Sequence, residues 1–187
     1  MKVESEFEGV RLMNFDLTDE QKMLQQMMKE FADVEVAPGA IERDRTKEFP
    51  LEVFKKLAQM GIMGLPFPER YGGADADTIS FAIVTEELSR VCASTGITYS
   101  AHISLGGAPL HLFGTEQQKE KYLTPICMGE SFGAFGLTEP NAGSDAGGTE
   151  TTASIKDGQF VINGSKIFIT NASYAKHLAL TAITGTN

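Results

Sequence analysis

The sequence predicts an α+β protein, an N-terminal all-α helical domain followed by the first part of an antiparallel β-barrel or sandwich-like domain, and three observations predict it. Apolar residues recur at helical spacing up to about Glu130. Beyond that point the period shortens to that of strands. Asp157-Gly158 and Asn163-Gly164 then supply two-residue hairpin turns between the alternating segments. The boundary near residue 130 separates a helical domain, 13–130, from a partial β domain, 131–187. Residues 1–12 are acidic and aperiodic ahead of the sharp helix start at Asn14 to Glu20, and they read as a disordered leader or as sequence upstream of a natural start at Met13.

Each element follows from local chemistry. Thr18 with Gln21 makes a capping-box pattern, and Met23, Leu24, Met27, Met28, Phe31 and Val34 form the apolar stripe of a first helix that runs to about Pro38. Methionines on such a face read as core filler. Pro50 suits the first turn of a second helix that carries Leu51, Val53, Phe54 and Leu57 and stops at Gly61. Pro66 to Gly73 is a compact connection, too rich in proline and glycine to be helical. A third helix spans about Asp77 to Val91, and its Glu86-Glu87 pair reads as a solvated face because adjacent helical residues point about 100° apart. A fourth, apolar and rich in small residues, runs from about Thr95 to Phe113, and Thr115 with Gln118 caps a charged fifth, Glu116 to Leu123. Strands are expected at Phe132 to Leu137, Thr151 to Lys156, Gln159 to Ile162, Ser165 to Thr170 and Leu178 to Ile183. With Asn187 following so soon after a strand, the sheet edge lacks cover and the sequence reads as cut from a longer one.

Composition narrows the function. With 42% hydrophobic residues a core is attainable, and a net charge of -9 disfavours nucleic acid and anionic membranes while leaving room for a small anionic ligand in a local pocket. No apolar run approaches the ~18 to 20 residues of a membrane span, and the N-terminus has neither a secretory nor a transit pattern. Cys92 and Cys127 match no metal or redox spacing and read as reduced thiols of a cytoplasmic protein. His102, His111 and His177 have no second ligand at metal spacing, and no histidine is placed to activate Ser144, so neither a metal site nor a hydrolase triad is expected.

The chemistry concentrates in two turns, Phe135-Gly136-Leu137-Thr138-Glu139-Pro140-Asn141-Ala142-Gly143-Ser144-Asp145 and Lys166-Ile167-Phe168-Ile169-Thr170-Asn171. The hydroxyls of Thr138, Ser144 and Thr170, the amides around Gly143 and the ring of Phe168 can hold a flat, polar-edged cofactor. None is a strong acid, base or nucleophile, so no catalytic residue is assigned. By pattern alone, Asn141 to Gly148 is a phosphate-cradling loop or a structural connection, since it matches neither nucleotide fingerprint.

Five segments together resemble the acyl-CoA dehydrogenase family, in its order and spacing: Pro68-Glu69-Arg70-Tyr71-Gly72-Gly73, Glu86-Glu87-Leu88, Phe113-Gly114-Thr115-Glu116-Gln117-Gln118-Lys119-Glu120-Lys121-Tyr122-Leu123, Leu137 to Asp145 and Asn163 to Asn171. The resemblance runs from about Asn14 to the last residue and covers the family's helical domain and the start of its middle domain. It implies FAD against the middle domain, an acyl-CoA thioester on the other side of the flavin, and electrons passed to an electron-transfer flavoprotein by a homotetramer. Matched position by position, it implies that Phe135, Leu137, Thr138, Phe168, Ile169 and Thr170 contact the flavin ring, and that Gly143 and Ser144 meet the flavin phosphates and the CoA portion of the substrate. The family usually has Trp at the position of Phe168, which keeps the stacking face and loses the indole donor. The family's catalytic Glu belongs to a C-terminal helical domain and has no counterpart among these residues.

In the family the apolar fourth helix lines the acyl pocket, which here implies Thr98, Tyr99 and His102 as substrate neighbours. Tyr99 and His102 are bulky enough to shorten the pocket if they face it, and the helix carries no Arg or Lys for a second carboxylate. A short- or branched-chain acyl-CoA, converted to a trans-2-enoyl-CoA, is the leading expectation. A non-catalytic FAD- or CoA-binding or interaction module, and an acyl-CoA oxidase or flavin monooxygenase relative, stay open beside it.

Overall fold

Local chemistry sets most helix starts in the computed structural model, which describes residues 14–185, so the 1–12 leader and Met13 lie outside the described residues. α1 (Asp19–Phe31) begins at Thr18, whose Oγ1 accepts from Gln21 N at 3.2 Å while Thr18 N donates to Gln21 Oε1 at 3.0 Å. The helical run continues through a wider π turn (Ala32–Val36) and a 3₁₀ turn at Pro38 into α2 (Ala40–Thr46). That short, polar helix has no apolar stripe to announce it. α3 (Leu51–Gln59) follows Pro50 and ends before Gly61, whose φ of 74° lets the chain turn. α4 (Thr78–Val91) is capped by Asp77, and Gln21 donates to Asp77 Oδ2 at 2.7 Å, so the starts of α1 and α4 are tied together.

α5 (Ala93–Ala101), a π turn (His102–Gly107) and α6 (Ala108–Phe113) form the expected fourth helix as one run. Its wide middle turn brings glycines 106 and 107 into packing contacts. A second capping box at Thr115 opens α7 (Glu116–Gln118), and the helical path passes through a π turn (Lys119–Leu123) into α8 (Thr124–Cys127). Pro125 is tolerated there because it falls in a first turn. One expectation for α4 fails: Glu87 is 7% exposed and accepts from Arg90 Nε at 2.9 Å, while Glu86 is the solvated member of the pair.

The β segment is sparser than its alternation suggests. β1 (Phe135–Gly136), β2 (Thr152–Lys156), β3 (Gln159–Asn163) and β4 (Ala179–Leu180) form two pairs, β2 with β3 antiparallel and β1 with β4 parallel. Asp157 and Gly158, at φ 53° and 76°, make the hairpin turn expected of them. Ser165 to Thr170 is not a strand and Asn163-Gly164 is not a hairpin turn, because Phe168 lies in the left-handed region at φ 56° and ends any extended run.

The core holds Met28, Phe54, Leu57, Met63, Leu88, Tyr99, Ile103 and Leu123 from the helices and Phe132 from the β segment. Phe132 packs edge-on against Phe49 and Phe54 at 5.0 and 5.2 Å between ring centres, and Tyr174 stacks on Phe49 at 3.9 Å. A backbone contact completes this joint. A Cβ added at Gly106 would lie 2.2 Å from Gly133 Cα, so helix and β segment touch only because both residues are glycine.

Candidate functional site

The two turns meet at one edge of the joint. Ile167 N donates to Thr138 O at 2.9 Å, and Lys166 Nζ, 8% exposed, reaches Leu137 O at 3.0 Å, Glu139 Oε1 at 2.6 Å and Thr181 Oγ1 at 3.0 Å. Glu139, 3% exposed, also accepts from Glu150 N at 2.7 Å and Thr151 N at 3.1 Å. Lys166 first, then Thr151 and the Glu150 amide, hold its carboxyl down at about 2. A buried carboxylate with a cation and two amides is a satisfied one.

A second set of bonds ties these turns to the helices. Asn171, in the left-handed region at φ 69°, donates from Nδ2 to Thr98 O at 3.0 Å and to Gly133 O at 3.1 Å. Gly133 N donates to His102 Nδ1 at 3.0 Å, so Nε2 carries the proton and donates to Met63 O at 2.9 Å. Burial pushes the His102 ring down to about 4, which keeps it neutral.

The result is an open cleft of about 180 Å³ lined by Ala101, Leu105, Phe135, Leu137, Thr138, Phe168, Ile169 and Thr170. Six of the eight residues expected at a cofactor come together in it. The Phe168 ring is 89% exposed, and among the described residues the amides of Thr138, Phe168, Ile169 and Thr170 have no protein partner. An exposed ring on a left-handed residue beside unpaired amides is strained geometry that suits a planar ligand with polar edges. Complete small-molecule pockets hold roughly 300–1,000 Å³, so the cleft is smaller than a complete pocket. Its lining carries no carboxylate, histidine, lysine or cysteine.

Gly143 and Ser144 are exposed in the loop beyond Glu139 and do not line the cleft. Nothing lies within 4 Å of a Cβ added at Gly143 and its φ is not positive, so the fold itself does not require a glycine there. The fourth helix corrects an expectation. Tyr99 and His102 are both 0% exposed and face the core, where the Tyr99 hydroxyl donates to Ile62 O at 3.1 Å. Thr98 packs behind the second turn, and the helix face in the cleft is Ala101 with Leu105, one turn apart. Sequence periodicity marked this helix as apolar all round, which left no signal for choosing its cleft face. Among the described residues no cluster of His, Cys, Asp or Glu could hold a metal ion, no helix is long and apolar enough to cross a membrane, and both cysteines are free.

These features define the class: an α+β protein with an open cleft where a helical domain meets a β segment. Residues 18–130 match the acyl-CoA dehydrogenase N-terminal domain and residues 134–187 the acyl-CoA dehydrogenase middle domain. The chain belongs to the acyl-CoA dehydrogenase family. It is 55% identical over 175 residues to a probable acyl-CoA dehydrogenase of Bacillus subtilis, covering 94% of this chain and 46% of the relative. It is 51% identical over 172 residues to a short-chain-specific acyl-CoA dehydrogenase of Clostridium acetobutylicum, covering 92% and 45%. The solved butyryl-CoA dehydrogenase of Megasphaera elsdenii superposes with a TM-score of 0.88 at 43% identity, over 93% of this chain and 46% of that one. An acyl-CoA dehydrogenase of Bacillus anthracis, solved in complex with FAD, superposes with a TM-score of 0.85 at 36% identity, over 91% and 30%. The chain thus spans about half the length of the curated relatives it matches.

Proposed function

We propose that this chain forms one wall of the FAD and acyl-CoA site of a short-chain, butyryl-type acyl-CoA dehydrogenase, and the cleft between the two turns carries that reading. Phe168 covers the face of the flavin ring; the hydroxyls and unpaired amides of Thr138 and Thr170 meet its polar edge; Phe135, Leu137 and Ile169 exclude water beside it. Gly143 and Ser144 offer open amides to the flavin phosphates and to the CoA portion of the substrate. When bound, FAD supplies the hydride acceptor for oxidation of a thioester at Cα–Cβ. Ala101 and Leu105 bound the apolar floor of the cleft, without a cation for a second carboxylate, which disfavours a dicarboxylic acyl chain. The likeness to short-chain-specific and butyryl-CoA dehydrogenases supports this choice. An electron-transfer flavoprotein as partner, a homotetramer and a cytoplasmic location complete the proposal.

The absence of any acid or base on the cleft favours a second statement: residues 1–187 on their own bind FAD without turning over substrate. General-base help contributes roughly 10² to 10⁴-fold, and none is at hand here. Titrating the purified chain with FAD should quench or shift flavin fluorescence, and adding butyryl-CoA with an artificial electron acceptor should give no turnover. No fluorescence change at high micromolar FAD would defeat the binding proposal, and turnover near that of a complete relative would defeat the second statement.

A further inference from the structure

The buried pair Lys166–Glu139 does more than join two turns. Lys166 leaves the second turn, lays its stem over Gly136, where an added Cβ would meet Lys166 Cγ at 3.2 Å, and places Nζ 3.0 Å from the carbonyl oxygen of Leu137. Glu139 and Thr181 take two further Nζ protons, so the ammonium cannot swing elsewhere without losing three partners. None of Lys166, Glu139 and Thr181 lines the cleft, whereas Leu137 and Thr138 both do. The described residues contain no cis peptide, and in a trans peptide the C=O and N–H point in opposite directions. Holding the Leu137 carbonyl on the Lys166 side therefore turns the Thr138 N–H away from Lys166, and that amide, on a residue that lines the cleft, has no protein partner among the described residues.

We propose that Lys166, itself fixed by Glu139, is a positioning residue for the cofactor: it orients and polarises the Leu137–Thr138 peptide so that the Thr138 amide donates to the polar edge of the flavin. This rests on the FAD reading above. Neighbouring contacts confine the rest of the turn, because Ile167 N donates to Thr138 O at 2.9 Å and Glu139 N donates to Ala142 O at 2.8 Å. The Thr138 N–H is an unpaired donor on the same peptide as the carbonyl that Lys166 holds. A cation on the carbonyl end strengthens the donor at the other end, since hydrogen bonds in a chain polarise one another.

Removing Lys166 alone would strand a buried carboxylate, so the informative variant is Lys166→Met with Glu139→Gln, which removes both charges and keeps one oxygen, in the place of Glu139 Oε2, as acceptor for the Glu150 and Thr151 amides. FAD titrations of the purified chain should show affinity reduced about tenfold in the double variant, the worth of one well-oriented hydrogen bond. The absorption maximum of the bound flavin should differ from that of the unaltered chain. Equal affinity and an unchanged spectrum in a folded double variant would overturn the positioning role while leaving the FAD reading intact. If the unaltered chain binds no FAD, both fall. A measurement free of any variant closes the test: in amide NMR of the unaltered chain the Thr138 resonance should shift on FAD addition, and a stationary Thr138 amide beside shifting Phe168 and Thr170 amides would refute the inference even if the variant does not fold.

Discussion

At the scale of single residues, the chain places strain where a ligand would repay it. Phe168 combines a φ of 56° with 89% exposure, an arrangement that neither packing nor backbone preference favours. Phe168→Gly removes that strain and adds unfolded-state entropy, two effects of similar size, so stability should change by less than about 1 kcal/mol. Loss of the ring should weaken FAD binding severalfold. Chemical unfolding and flavin titration on the same variant check both parts, and a large loss of stability would show that the ring serves the fold. His102 makes the opposite case, a polar residue read as a pocket neighbour that is a neutral core bridge between Met63 O and Gly133 N. Its folded value of about 4 lies below the free value of about 6.5, so the unfolded chain binds the extra proton first. Stability is full above that free value and falls as pH drops toward 4, by about 3 kcal/mol. A His102→Leu variant should lack this slope in urea unfolding between pH 7 and 4.

At the scale of elements, caps and breakers were legible because their physics is local. Both capping boxes and the Asp157-Gly158 hairpin appear where side chain and spacing put them. The strand expected at Ser165 to Thr170 was misread because alternating apolar residues at Ile167 and Ile169 also suit a loop pinned from both ends by Lys166 and Asn171. Parallel pairing of β1 with β4 was equally hidden, since the partners are far apart in sequence. The joint between the fourth helix and the residues just ahead of β1 is a close backbone contact. Gly106→Ala puts a methyl 2.2 Å from Gly133 Cα, where backbone rather than a flexible side chain must yield. It should cost about 1–3 kcal/mol, with the loss appearing as a lower unfolding midpoint and faster amide exchange at Gly133.

At the scale of the whole molecule, the helical domain and the β segment hold the cleft between them without closing it. On the proposed reading, FAD binds only the folded chain, and at a hundred times its dissociation constant it should raise stability by about 2.7 kcal/mol. A thermal-shift series against FAD concentration checks this, and a flat series would argue that the wall alone does not bind. The sequence by itself determined the class of fold, the family and the two turns that line the cleft, because capping, periodicity and motif order are properties of neighbouring residues. Only the tertiary structure decided that Ala101 and Leu105, instead of Tyr99 and His102, face the cleft. It alone joined Lys166 to Leu137 across 29 positions of chain. An apolar helix has no marked face until it packs, and a buried ion pair has no partner until distant segments meet.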